Sequence, residues 1–347
     1  MSAEITIRRP DDWHLHLRDG RILREVLPYT AKYFARAIVM PNLVPPVTDI
    51  ESAQAYRQRI LAADTDSNFE PLMTAYLTDN SSGEELAKGF KQGILRAAKL
   101  YPAGATTNAE HGVSNVNKIY PVFEAMQDAN MPLLVHGEVV GEQYDIYDRE
   151  KIFIDEILSA IHNSFPNLKI VFEHITTKQG VEFVEQADEH VAATITPHHL
   201  LINRSTMFRG GIRPHYYCLP IAKRREHQLA LRQAATGGNN KFFLGTDSAP
   251  HGEAAKESAC GCAGVFNAGT ALACYAQVFD DENALDNFEQ FAAFNGPNFY
   301  NLPPNEGYLR LEKHATPLSS LDTVGQERIH QFLPDSPVYW RVVDLDA

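Results

Sequence analysis

The stretch WHLHLRDG, residues 13–20, sets two histidines one position apart and follows them with Arg18, Asp19 and a glycine. Side chains of a β-strand alternate between its two faces. In a strand, His14 and His16 therefore share one face, while Leu15 and Leu17 share the other. Two imidazoles converging from one face form a chelate when a metal ion is present and a desolvation problem when none is. What the rest of the chain delivers to the same place decides between the two.

An apolar, β-rich run followed by a helical pattern recurs along the chain. The candidate strands are EITIRRPDDWHLHLRD (4–19), RAIVMPN (36–42), FEPLMTAYLT (69–78), GILRAAKLYP (93–102), MPLLVHGE (131–138), LKIVFEHI (168–175), VAATITPHH (191–199) and KFFLGTDSAP (241–250). Between them, mixed apolar periodicity predicts helices at Leu23–Phe34, Ile50–Ala63, Ser82–Gln92, Val116–Asn130, Glu150–Ser164, Thr177–Asp188 and Ala222–Ala235. Asp49 is the expected N-cap of the second. Strands alternating with helices in this number predict an α/β fold, a (β/α)8 TIM barrel. An open doubly wound sheet is the alternative, but no GxGxxG follows the first strand. No linker or low-complexity tract divides the chain, so residues 1–347 are read as a single domain. The stretch from HATPLSSL (314–321) onward is poor in helical pattern and is expected as a C-terminal extension packed on the barrel.

The bulk numbers narrow the function. A chain of 347 residues, 44% hydrophobic and 22% charged, suits a soluble globular protein. No apolar run approaches the roughly 20 residues that span a bilayer, and MSAEITIRRP is too polar for a signal peptide. A formal charge of −13 argues against nucleic acid as a partner, since phosphate binding needs clustered Lys and Arg. An anionic small substrate stays open, because the field of a pocket decides its fate. Four cysteines make no disulfide framework, and the expected location is a reducing cytoplasm. Cys260 and Cys262 form CGC, which reads as a tight loop rather than a metal motif.

Active sites of such barrels gather at the C-terminal ends of the strands. There the sequence places His14, His16 and Arg18 on strand one, Asn42 on two, Lys99 on four, His136 on five, His174 on six and Asp247 on eight. Singly, each is an ordinary polar residue at a strand–loop junction. Four histidines and an aspartate arriving together point to a metal centre. Imidazole with carboxylate suits zinc, and leaves iron, cobalt or nickel open. The set exceeds the three protein ligands usual for one catalytic zinc. Two ions are therefore expected, about 3.5–4 Å apart, with a hydroxide between them as nucleophile. Lys99, in the apolar run AAKLYP, is the anomaly: an ammonium is costly there and cannot coordinate. Either it snorkels out of the barrel end, or burial beside two cations keeps the amine neutral and it captures carbon dioxide. The carbamate would bridge the ions. With aspartate and hydroxide, it leaves one positive charge in excess, suited to an anionic substrate.

HxH at strand one, lysine at four, histidines at five and six and aspartate at eight resemble the amidohydrolase superfamily. DDWHLHLRDG (11–20), IVMPNLVPPV (38–47), AAKLYPAGATTNAEHGV (97–113), LLVHGE (133–138), FEHITT (172–177), ATITPHHL (193–200) and FLGTDSAPH (243–251) look like the dihydroorotase family, in its shorter bacterial homodimeric form. The resemblance covers nearly the whole chain. HxH alone is shared by many amidohydrolases; KLYPAGATTN and GTDSAPH together are specific. It implies reversible cyclisation of N-carbamoyl-L-aspartate to L-dihydroorotate with loss of water, in pyrimidine synthesis, by a homodimer holding two Zn2+ per subunit. It also implies that His14, His16 and Asp247 hold the more buried ion, His136 and His174 the other, and N6-carboxylated Lys99 bridges them. Asp247 would carry the proton from the bridging hydroxide to the leaving nitrogen. Arg18, placed by strand periodicity with the ligands, would take a substrate carboxylate as a bidentate pair; its alternative is a surface salt bridge with Asp19. Asn42 and His251 join it by resemblance, with backbone groups near Leu219 and Ala263 reading the ring edges. PAGATTNAEHG (102–112) looks like a mobile lid carrying Thr106 and Thr107. His198 and His199 are expected to support the site rather than enter it. A hydantoinase or allantoinase would share the metal core without the carboxylate clamp.

Overall fold

The structure, a computed structural model, describes residues 3–64, 68–319 and 321–346. Two sheets organise it. The larger runs β2 (Asp12–Leu15), β3 (Arg36–Val39), β4 (Glu70–Tyr76), β5 (Ala97–Leu100), β6 (Leu133–Val135), β7 (Ile170–Phe172), β8 (Val191–Ile195) and β9 (Phe242–Leu244), each parallel to the next. Backbone bonds just past the strand ends join the first strand to the last: His16 N donates to Ser248 O at 3.0 Å and Asp247 N to His14 O at 2.9 Å. Below this seam Asp12 is fully buried, accepting from Thr246 N at 2.8 Å and from Thr246 Oγ1 at 2.5 Å. Burial pushes its carboxyl up to about 7.

The smaller sheet is antiparallel, in the order β1 (Glu4–Arg8), β10 (Tyr308–Lys313), β11 (Trp340–Asp346). The single strand expected over 4–19 is thus two strands in different sheets. Arg9, Pro10 and Asp11 intervene, and proline has no N–H to continue a ladder. The C-terminal segment runs back over the barrel as expected, with Phe332 N donating to Phe266 O at 2.6 Å.

Helices α1 (Gly20–Ala31), α2 (Ile50–Ala63), α3 (Gly83–Lys91), α4 (Tyr120–Ala129), α5 (Arg149–Phe153), α6 (Ser159–Ser164), α7 (Lys178–Gln186), α8 (Pro197–Leu201), α9 (Arg225–Thr236), α10 (Glu253–Lys256), α11 (Ala271–Asp281) and α12 (Asn295–Tyr300) fill the connections. Asp49 caps α2 in a reciprocal box with Ser52. The helix expected over Glu150–Ser164 is divided into α5 and α6 by a wider π turn at Ile154–Leu158. Sequence periodicity missed α11 because Ala271 through Phe279 are all buried, so the helix has no polar face to alternate with an apolar one. No helix is long and apolar enough to cross a membrane among the described residues.

The inside of the barrel positions the site. Trp13, Ile38, Leu72, Ala97, Leu134, Val171, Ala192 and Phe243 form one buried cluster, closed from below by Tyr300, whose ring stacks on Trp13 at 4.4 Å. Two residues further along each of the later strands, on the same face, come Met40, Thr74, Lys99, His136, Glu173, Thr194 and Gly245; on the first strand the register shifts, and His14 rather than Leu15 faces inward. The floor is apolar and the next layer is polar. Gly245 is required there, since a Cβ would lie 2.7 Å from Thr194 Cβ and 3.2 Å from His14 Cβ. The opposite strand faces, including Leu15, Val39, Ala98, Val135, Phe172 and Leu244, pack against the helices.

Gly296 of α12 touches the floor, where an added Cβ would sit 1.9 Å from Trp13 Nε1. Gly296→Ala should therefore destabilise the protein by about 1–3 kcal/mol, as overpacking does, although alanine is the better helix former. A denaturation midpoint equal to or above that of the parent would contradict this packing.

Candidate active site

His14 and His16 converge as their spacing predicts: their Nε2 atoms are 3.2 Å apart, and each faces Asp247 Oδ1, at 3.3 and 3.2 Å. The far nitrogens are held differently. His16 Nδ1 lies 2.9 Å from Asn42 Oδ1, an acceptor only, so the proton sits on Nδ1. His14 Nδ1 lies 3.0 Å from Glu173 Oε1, within ion-pair distance but without hydrogen-bond alignment. Both Nε2 atoms converge on each other and on a carboxylate oxygen. Burial pulls the His16 imidazole down to about 4, which keeps it neutral. Burial alone would raise the Asp247 carboxyl, but His14 and His16 around it outweigh this and hold it below the ordinary carboxylate range.

The ring sequence continues across the barrel. His14 and His174 lie 4.9 Å apart between centroids, as do His174 and His136. His174 Nδ1 is buried without a hydrogen-bond partner among the described residues, and burial holds the ring well below the usual histidine range. His136 Nε2 lies 3.0 Å from Glu138 Oε2. Lys99 is fully buried beneath these rings, against Glu173 Oε2 and 4.8 Å from the centre of the Tyr101 ring. It does not snorkel to solvent. Burial lowers its pKa, with Glu173 opposing.

Glu173 is the residue that sequence reasoning missed. It joins Lys99 to His14 and forms a potential ligand group with His14 and His174. Its signal was available, since it follows the inward-facing Val171 by two positions. His174 beside it enters the site only because its backbone takes φ 41°. Asp247 and Arg18 are likewise left-handed, at φ 44° and 59°. Such conformations cost non-glycine residues on the order of 1–3 kcal/mol and cluster at functional sites.

Arg18 reaches the pocket, but from the loop after β2 rather than from the strand itself. Its Nη2 lies 2.9 Å from His251 Nε2, and its Nε donates to Pro250 O at 3.2 Å. The alternative partner, Asp19, pairs with Arg59 at 2.9 Å and caps α1 instead. His251 Nε2 is also 3.0 Å from Ala263 O. An arginine only donates, so this nitrogen either accepts from Arg18 or donates to Ala263, never both. Burial, then Arg18, pulls His251 down to about 2. Asn42 is engaged twice, through His16 and by donating to Thr107 O at 3.1 Å. Thr106, Thr107, Leu219 and Ala263 line the same narrow pocket as the histidines. His198 and His199 stay behind it. His198 Nδ1 meets Asn267 Nδ2 at 3.1 Å, and His199 joins Thr196 Oγ1 to Pro220 O.

Two imidazole nitrogens and a carboxylate oxygen within 3.2–3.3 Å of one another match a cation site. Zinc–nitrogen bonds of about 2.0–2.1 Å set tetrahedral ligands roughly 3.3 Å apart. His14, His16 and Asp247 therefore fit one ion as they stand. His174, His136 and Lys99 provide further donors beside it, with His136 turned toward Glu138.

Comparison with known proteins agrees with this chemistry. The sequence profile of the Amidohydrolase family matches residues 11–316. A dihydroorotase of Chelativorans sp. is 55% identical over 343 residues, covering 98% of this chain and 99% of its own. The crystal structure of dihydroorotase from Campylobacter jejuni superposes with a TM-score of 0.86 at 36% identity, over 99% of this chain and 98% of that one. Dihydroorotase from Saccharomyces cerevisiae, in complex with 5-fluoroorotic acid, gives 0.88 at 31% identity, over 98% of both chains. This chain belongs to the amidohydrolases and, among them, to the dihydroorotase family.

Proposed function

We propose that this protein interconverts L-dihydroorotate and N-carbamoyl-L-aspartate in pyrimidine synthesis, as a metal-dependent cyclic amidohydrolase. The observation that carries the reading is the convergence of His14 Nε2, His16 Nε2 and Asp247 Oδ1 within 3.2–3.3 Å in a chain so close to dihydroorotases. His14, His16 and Asp247 would hold one zinc ion, and His136 and His174 a second. Burial disfavours the Lys99 ammonium, with Glu173 opposing; in its neutral form the amine would react with carbon dioxide, losing one proton, to give a carbamate as a further anionic ligand. When bound, the ions would polarise the ring amide and bring water to its nucleophilic form near neutral pH.

The remaining work falls to the chain. Asp247, held as a carboxylate, takes the proton of the attacking water and returns it to the departing ring nitrogen, so it ends each cycle as it began. Arg18 offers a planar fork to the substrate carboxylate. When it turns to substrate, His251 is free to donate to Ala263 O, which keeps the rim in place. Asn42 and the backbone at Leu219 and Ala263 read the ring edge. Thr106 and Thr107 cap the cavity, since Thr107 Oγ1 donates to Ala263 O at 3.4 Å across its mouth. Glu173 orients His14 by way of Nδ1, the usual role of a carboxylate behind a ligating histidine. The four free thiols at Cys218, Cys260, Cys262 and Cys274 suit a cytoplasmic enzyme, and the homodimer of its shorter bacterial relatives is the proposed assembly.

The direct test measures turnover of dihydroorotate against hydantoin before and after chelation. Turnover of dihydroorotate that chelation abolishes and zinc restores is expected. Preference for hydantoin, or full activity without metal, contradicts the reading. Asp247→Asn should keep most of its metal while kcat falls by about 10²–10⁴, the usual worth of a positioned proton carrier; near-parental kcat would remove Asp247 from that role. Lys99→Ala should lose metal or activity, with partial recovery in short carboxylic acids that occupy the vacated bridge. Parental metal content and rate in that variant would end the carbamate proposal.

A further inference from the structure

Lys256, the last residue of α10, is 3% exposed, yet among the described residues it pairs with no carboxylate. Its ammonium is satisfied by main chain alone. Nζ donates to Tyr217 O at 2.8 Å, to Cys262 O at 2.8 Å and to Gly264 O at 2.7 Å. An ammonium has three donors, and here each has a carbonyl oxygen. Burial of the charge brings its pKa down to about 8. A cation is retained in this place against its desolvation cost, and the three oxygens it gathers come from two separate loops.

Those loops are the ones that face substrate. Tyr217 belongs to the connection between β8 and β9 and lies two residues before Leu219. Cys262 and Gly264 flank Ala263 in the connection after β9. Gly264 N also donates to Tyr217 O at 3.0 Å, so the two segments meet edge to edge beside the lysine. Gly264 has φ 151°, and a Cβ there would lie 2.6 Å from Ala249 O, which leaves no room for the segment to sit closer. CGC is explained by the same arrangement: it is the tight loop that turns the Cys262 carbonyl onto Lys256. The Gly264 to Tyr217 backbone bond and the ammonium between the loops tie the Leu219 and Ala263 segments together.

We propose that Lys256 is a positioning residue for substrate recognition, a tethered cation that clamps the loop after β8 to the loop after β9 and so sets the Leu219 and Ala263 backbone groups. The inference rests on the dihydroorotase reading above. It assigns Lys256 no contact with substrate and no part in the chemistry. Its removal therefore weakens binding in ground and transition state alike, which raises KM and largely spares kcat.

The test uses the full-length, zinc-loaded protein. For Lys256→Met, whose side chain has similar length and no charge, KM for dihydroorotate should rise about tenfold or more while kcat stays within about threefold and the metal content is unchanged. In Lys256→Ala, n-propylammonium should bring KM back toward the parental value, whereas propanol should not. Hydrogen exchange needs no substrate: amides of residues 215–219 and 258–264 should exchange faster in both variants. A parental KM, a fall in kcat at unchanged KM, no recovery with the alkylammonium, or unchanged exchange in these two segments each overturns the proposal. Should Lys256→Met fail to fold, Lys256→Gln, which keeps two donors, takes its place, with an intermediate KM supporting the clamp and a parental one refuting it. A parent protein without dihydroorotate turnover would refute the functional reading instead, and the exchange measurement would still decide the clamp.

Discussion

Everything at the top of the barrel depends on buried polar side chains being placed directly above an apolar floor. Once Trp13, Val171, Leu134 and Ala97 face inward, strand periodicity puts Glu173, His136 and Lys99 inward too, one layer higher. Lys99 and Glu173 are fully buried, and His14, His136 and His174 nearly so. Buried polar groups without partners are costly, so this layer has to satisfy itself or be satisfied by a ligand. It does the first in part: Glu173 joins Lys99 to His14, and Asn42 takes the proton of His16 Nδ1. What is left over is the close facing of His14 Nε2, His16 Nε2 and Asp247 Oδ1, an arrangement that a cation would satisfy.

The same constraint explains why several residues in the site have unusual backbones. A regular strand alternates faces and cannot send two neighbouring side chains inward. Glu173 and His174 both enter because His174 adopts φ 41°, secured where its N–H donates to Thr194 Oγ1 at 2.7 Å. Asp247 turns inward in the same way where the barrel closes, with Asp12 and Thr246 bonded directly beneath. Local strain is thus supported by a seam of buried hydrogen bonds rather than spread through the fold.

How much of this was legible in the sequence follows from the physics of each element. Alternating apolar runs and amphipathic helices announced the barrel, and HxH, Lys99 and the single histidines announced its working end. The division of the first run into β1 and β2 was hidden, because only the proline between them separates two stretches of equal β character. Helix α11 was hidden because it is apolar on every side. Glu173 was hidden because His174 next to it drew attention as the ligand type, and alternation permits only one of two neighbours inside; the left-handed turn that admits both leaves no mark on residue choice. Lys256 was hidden because nothing in AAKES distinguishes a surface lysine from one whose ammonium is enclosed by carbonyls of loops that fold around it. Contacts set by periodicity could be read, and contacts set by loop closure could not.

The central claim is that these buried side chains hold two metal ions joined through a carboxylated lysine. Anomalous diffraction at the zinc edge tests it most directly. The account predicts two peaks, one among His14, His16 and Asp247 and one beside His136 and His174, with density extending from Lys99 Nζ to both. A single peak, or two peaks over a bare Lys99 amine still paired to Glu173, would contradict it.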